Sequence, residues 1–246
     1  MRFWIGALGV LIVGISLSGY LIYKFLGEHI GTIAGGMLGG LISSTATTVS
    51  FARQTKQAPE RSKAAALVIM LASSIVFGRL LILIGVTSPV FLSSSWGPFT
   101  TMLGALLIIS VVVWRTTACE ETKLPPQENP SQLKTALAFG ALYALVLLAT
   151  AAAKQYFGAQ GLYIVAALSG LTDMDAITLS ISQMVHSSQL LPRTAWRLIM
   201  IASLSNLIFK AVVVAFLGNR KLLSWISLLF AIAFALGVAI ILLWPA

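Results

Sequence analysis

Charge is what this sequence has least of. Only 9% of its 246 residues are Asp, Glu, Lys or Arg, and aspartate occurs just twice, at Asp173 and Asp175. An average soluble domain is roughly 25% charged. With 58% hydrophobic residues and a mean hydropathy of +0.96, the chain lacks the polar side chains that a water-facing surface requires. Cysteine occurs once, which excludes an internal disulfide; Cys119 stands beside Glu120 and Glu121 with no nearby His or Cys and reads as chemically idle. No H-E-x-x-H, G-x-S-x-G, P-loop or Cys/His metal spacing is present, so the chain is expected to be neither an enzyme nor a cofactor carrier, and it names no metal. The net charge of +9 sits in short connectors and forms no stripe with interleaved aromatics, which argues against a nucleic-acid partner.

What is there instead is apolar sequence in long runs. Stretches at 3–26, 30–52, 64–86, 97–115, 134–157, 160–185, 194–217 and 221–244 each approach or exceed the roughly 18 to 20 residues that cross a hydrocarbon core of about 30 Å. The first imitates a signal peptide after Met1-Arg2 but outruns the usual apolar core of about 7 to 15 residues. The expected fold is therefore all-α, a polytopic protein of eight transmembrane helices with the lipid bilayer as its first partner. The one long polar connector, 116–133, contains Pro125-Pro126 and Asn129-Pro130 and divides the chain into units 1–115 and 134–246.

The two units are related. At a constant shift of 130 residues Gly40-Leu41 falls on Gly170-Leu171, Ala46 on Ala176, Thr48 on Thr178, Ser50 on Ser180, Ile69-Met70 on Ile199-Met200, Ala72-Ser73 on Ala202-Ser203 and Trp114 on Trp244. Four helices per unit is an even number, so the units are expected to run parallel about an axis along the membrane normal. Basic residues favour the cytoplasmic side. Arg2, Arg53, Lys56, Arg61, Lys63, Arg115, Lys123, Lys134, Arg193 and Arg197 fall on one side of that topology and Lys24, Lys154, Arg220 and Lys221 on the other, which places both termini and the linker in the cytoplasm.

Two segments carry chemistry. In the second span Gly31, Gly35 and Gly39 recur every four residues, as do Gly36 and Gly40, a strip along which a neighbouring backbone can approach. A hydroxyl run follows: Ser43, Thr47 and Ser50 mark one helical face, Thr45 and Thr48 another. These hydroxyls either bond back into their own helix or line a hydrated or ligand-filled segment, with the helix interrupted at its glycines. The equivalent stretch of the second unit, from Gly170 to Ser180, holds both aspartates. A carboxylate inside a span costs several kcal/mol unless it is paired, hydrated or protonated, and marks function by default. Asp173 and Asp175 point about 200° apart on an intact helix and cannot share one small site unless it unwinds. Asp175 continues into Thr178 and Ser182 on one face. Asn206 and Lys210, one turn apart in the seventh span, are the expected partners of Asp173; Arg79 lies at nearly the equivalent depth in the first unit, where Ser43 and Thr45 replace the acids. Such a cluster binds a cation at the acids, binds an anion at Arg79 and Lys210, or neutralises itself as a structural ion pair. His29 and His186 fall in connectors, and Trp4, Trp96, Trp114, Trp225 and Trp244 near span ends, where they read as interfacial anchors.

The segments Gly39–Thr48 and Gly170–Ser180 resemble those of a bacterial membrane domain of unknown function, number four thousand and ten, that forms the C-terminal part of MgtC/SapB-type transporters. The resemblance covers nearly the whole chain, including Asn206 to Lys210. It implies the bacterial cytoplasmic (inner) membrane, an ion or small solute as ligand, and an MgtC-like domain or protein as partner; a homo-oligomer is a separate expectation, which the resemblance does not supply. The leading expectation is a transporter or channel-like protein in which Asp173 and Asp175 bind a cation or proton beside Ser43, Thr45, Thr48 and Thr178, with Asn206, Lys210 and Arg79 orienting, and Gly31, Gly35, Gly36, Gly39, Gly40 and Gly170 packing helices. The alternative is a non-transporting scaffold or regulator whose small and polar motifs only pack.

Overall fold

The computed structural model describes residues 32–116, 161–172 and 174–244, and every regular element among them is helical. They are α1 (Thr32–Gln57), a 3₁₀ turn (Pro59–Arg61), α2 (Ser62–Thr87), α3 (Pro89–Thr116), α4 (Gly161–Thr172), α5 (Met174–His186), α6 (Pro192–Leu217) and α7 (Arg220–Leu243). The expectations for Gly31, Asp173, Cys119, His29, the linker and the first and fifth spans lie outside the described residues.

Four of these helices, α2, α3, α6 and α7, are long and apolar enough to cross a membrane. The apolar residues of α2 run all the way round, and accordingly every residue from Ala64 to Ser74 is buried. In α3 and α7 only one stripe is buried; Ile108, Val112, Leu228 and Leu243 face outwards, as expected of helices against lipid. Proline at the first position starts α3 and α6, where its missing N–H costs nothing.

The second expected span is not one straight helix. Ser43 adopts extended backbone (φ −167°, ψ 108°) inside α1, and the chain reverses there. A methyl added at Gly39 would lie 2.6 Å from Thr47 Oγ1, whereas residues eight apart on a continuous helix are separated by about 12 Å. Gly36 packs on Leu71 and Val68, and Gly40 on Ala72 and Ile75. The first limb thus runs parallel to α2, while the second leads through the 3₁₀ turn into α2 and runs against it. Each limb is only about 16 to 21 Å long, short of a hydrocarbon core of about 30 Å.

The sixth expected span is divided at the equivalent place, since α4 ends at Thr172 and α5 begins at Met174, 130 positions beyond the break at Ser43. Gly170 packs on the backbone of Ala202. On one straight rod ending at His186, next to the start of α6, Gly170 would lie about 24 Å from that end and Ala202 only about 15 Å. A reversal between α4 and α5 brings both to about 15 Å. Each half of the chain therefore contributes one helical hairpin.

These hairpins overturn the parallel arrangement. Asn219, in the α6–α7 turn, bonds to Thr55 in the last turn of α1 and to Ser62 at the start of α2. Lys63 sits over the Trp225 ring near the start of α7, and Gly97 near the start of α3 meets Trp244 at the end of α7. The start of α2 and the end of α6 thus share one end of the bundle, so these shift-related helices run antiparallel. The physical reason is parity: a hairpin returns to the end it came from and removes one crossing from the count of four.

Candidate functional site at the two helix breaks

Both breaks fall near mid-height. Ser43 lies about 21 Å along the second limb of α1 from the turn at Ala58, and the α4–α5 break about 18 to 20 Å from the opposite end, in a bundle whose α2 is about 39 Å long. In α1 the break is capped: Ser43 Oγ accepts from the Ala46 N–H at 3.2 Å, the role of an N-cap serine. Thr47 Oγ1 donates to the Ser43 carbonyl at 2.9 Å and Thr48 Oγ1 to that of Ser44 at 2.8 Å. Two hydroxyls of the run therefore bond back within their own limb, and Thr48 is fully buried; Thr45 is half-buried.

Arg79 joins the two breaks. From α2, its Nη1 donates to the Leu41 carbonyl at 3.0 Å, at the end of the first limb of α1, and its Nη2 is salt-bridged to Asp175 in the first turn of α5. Its Nε–H, also buried, has no hydrogen-bond partner among the described residues. Thr178 and Ser182, one and two turns beyond Asp175 on its face of α5, are fully buried, and their hydroxyls have no partner there either. The carboxylate–hydroxyl face read from the sequence is thus assembled inside the bundle.

Asn206 and Lys210 do not join Asp175. Asn206 Nδ2 donates to the Gly170 carbonyl at 2.9 Å, near the end of α4, much as Arg79 holds Leu41. Lys210 Nζ donates to Ser73 Oγ at 3.1 Å, and Ser73 Oγ donates in turn to the Ile69 carbonyl at 2.8 Å. Asp173, the expected partner of Asn206 and Lys210, lies outside the described residues; the antiparallel arrangement brings the hairpin containing Asp175 to the depth of Arg79. Ser73 and the Leu41 carbonyl were missed. Ser73 carried a signal, its match to Ser203, which bonds back to Ile199 in the same way. Of the packing glycines, Gly36 and Gly40 lie against α2, Gly170 against α6, and Gly39 within the hairpin, with Gly35 in its first limb.

The family profile for Domain of unknown function (DUF4010) matches residues 10–218. The chain belongs to this family. An uncharacterized protein of Aquifex aeolicus (strain VF5) is 27% identical over 205 residues, covering 81% of this chain and 86% of that protein. No solved structure matches the chain. Arg79, Asp175, Asn206 and Lys210 all lie inside the part that matches DUF4010.

Proposed function

We propose that this DUF4010 protein is a membrane transporter for an ion or small solute, built as two inverted repeats that each place a re-entrant helical hairpin against its membrane-crossing helices. One observation carries the reading: helix breaks 130 residues apart, at Ser43 and between Thr172 and Met174, meet at Arg79 in the middle of the bundle. Interrupted helices at mid-membrane leave backbone polarity that only a protein interior or a cavity can satisfy, and transporters use such breaks as binding sites. The repeat is supported by the pair of contacts Gly40–Ala72 and Gly170–Ala202 and by the back-bonds of Ser73 and Ser203.

The charge distribution supports an orientation. Arg53, Lys56, Arg61, Lys63, Arg115, Arg220 and Lys221 lie at the end of the bundle that holds the α1–α2 and α6–α7 turns, while Arg193 and Arg197 lie at the other. By the positive-inside rule the first end is cytoplasmic, which puts the end of α7 on the far side, opposite to the placement expected from eight spans. The inner membrane, self-association, an MgtC-like partner and the absence of catalysis belong to the same proposal.

The scaffold reading is favoured by a different observation, the pairing of Arg79 with Asp175, which neutralises two of the buried charges. Reconstitution separates them. Proteoliposomes containing the full chain are expected to show solute flux that Arg79→Gln abolishes. Flux equal to that of empty vesicles across inorganic anions, carboxylates, protons and metal cations leaves the scaffold.

A further inference from the structure

We infer that the interior binds a small oxyanion, a carboxylate or an inorganic oxyanion, on Arg79, with Lys210 as a second station between Arg79 and the basic end of the bundle. The inference rests on the transport reading and assigns its substrate class. Donors and acceptors decide it. Guanidinium and ammonium groups only donate. Arg79 is nine-tenths buried and its Nε–H has no partner among the described residues. Lys210 is 1% exposed and places a single hydrogen bond, on Ser73 Oγ, although an ammonium has three to give. Among the described residues it has no carboxylate partner, and Ser73 spends its own proton on Ile69. Among the described residues, these buried donors thus outnumber the acceptors offered to them.

One carbonyl near the end of each first limb already has a donor, Leu41 from Arg79 and Gly170 from Asn206. Thr178 and Ser182 add two fully buried hydroxyls able to donate. A cation bound at Asp175 would sit against the guanidinium that already holds this carboxylate. An oxyanion can instead replace the Asp175 carboxylate on the same planar fork, in the bidentate manner arginine favours. Lys210, seven positions before the end of α6, lies between that fork and the cluster formed by Lys56, Arg61, Arg115, Arg220 and Lys221, so positive charge continues from the surface inwards.

Competition gives the test its sign. The melting midpoint of the purified full chain in detergent is measured in sodium acetate, sodium phosphate and sodium sulfate against sodium chloride at equal ionic strength. At least one of the three is expected to raise the midpoint saturably. Asp175→Asn, which removes the competitor, lowers the half-saturating concentration about tenfold, Arg79→Gln abolishes the effect, and Lys210→Met weakens it. Should Arg79→Gln not fold, Arg79→Lys, which keeps charge but loses the fork, is expected to weaken the same response. No saturable response to any of the three anions, or an Asp175→Asn variant that loses the response instead of strengthening it, overturns the inference. Cation flux that ignores all three anions overturns it while leaving the transporter standing. Anion binding without any flux supports the site and removes the transporter.

Discussion

Arg79 on α2 is salt-bridged to Asp175 in the first turn of α5 while its other amino group holds the Leu41 carbonyl, so one side chain ties the two hairpins together. The paired side chains are 9% and 15% exposed. Removing one member of a buried pair leaves an uncompensated charge and costs about 3–5 kcal/mol, whereas replacing both costs much less. Arg79→Gln and Asp175→Asn are each expected to lower the thermal unfolding midpoint in detergent, and the double variant to recover part of the loss. Strictly additive losses would mean that the two residues are not coupled.

The ungapped register suggests a duplication, and 39–48 and 170–180 stand out because glycine, hydroxyl and carboxylate residues are out of place in lipid. The geometry of these segments was not legible. An apolar stretch of 23 or 26 residues has the same hydropathy whether it crosses or folds back, and the reversal at Ser43 depends on one extended residue followed by its own cap, a change that periodicity does not register. The reversal of direction between α2 and α6, likewise invisible to hydropathy, brings Asp175 to Arg79. Arg79 was recognised as a buried cation, but its pairing with Asp175 depended on that direction.

Glycine at the hairpin interfaces is set by backbone contact. A methyl at Gly40 would lie 2.8 Å from both the Cα and the carbonyl oxygen of Ala72, and Gly170 meets the Ala202 backbone more closely still. Neither neighbour can rotate away. Gly40→Ala and Gly170→Ala are expected to destabilise the fold, with the larger drop in melting midpoint for Gly170. Gly104→Ala, in open space on α3, is the control; helix propensity there favours alanine by up to about 1 kcal/mol, so its midpoint should hold or rise.

Asn219 fastens the ends of the two halves. Its Oδ1 accepts from the Leu222 N–H at 2.7 Å, capping α7, while its Nδ2 donates to the Thr55 carbonyl at 2.6 Å and to Ser62 Oγ at 2.9 Å. Asn219→Ala removes both the cap and the clasp and is expected to cost about 1–3 kcal/mol. Asn219→Asp keeps an acceptor for Leu222 but cannot donate to Thr55, so its melting midpoint should fall between those of the alanine variant and the parent. An alanine variant as stable as the parent would show that the clasp contributes nothing.

The antiparallel arrangement makes the sharpest prediction, because Glu60 and Ser188 stand in turns that a parallel repeat would place on one side of the membrane. Both are exposed, Glu60 in the 3₁₀ turn after α1 and Ser188, with positive φ (57°), in the turn before α6. The α1–α2 turn joins the basic end and the α5–α6 turn the opposite one, so the bilayer should separate them. In a Cys119→Ser background, a membrane-impermeant maleimide added to intact cells is expected to label Ser188→Cys directly and Glu60→Cys only after permeabilisation. Equal labelling of the two from the same side would restore the parallel repeat and with it a crossing role for α1. The reverse pattern would keep the inverted architecture but turn the basic end outwards, against the charge rule.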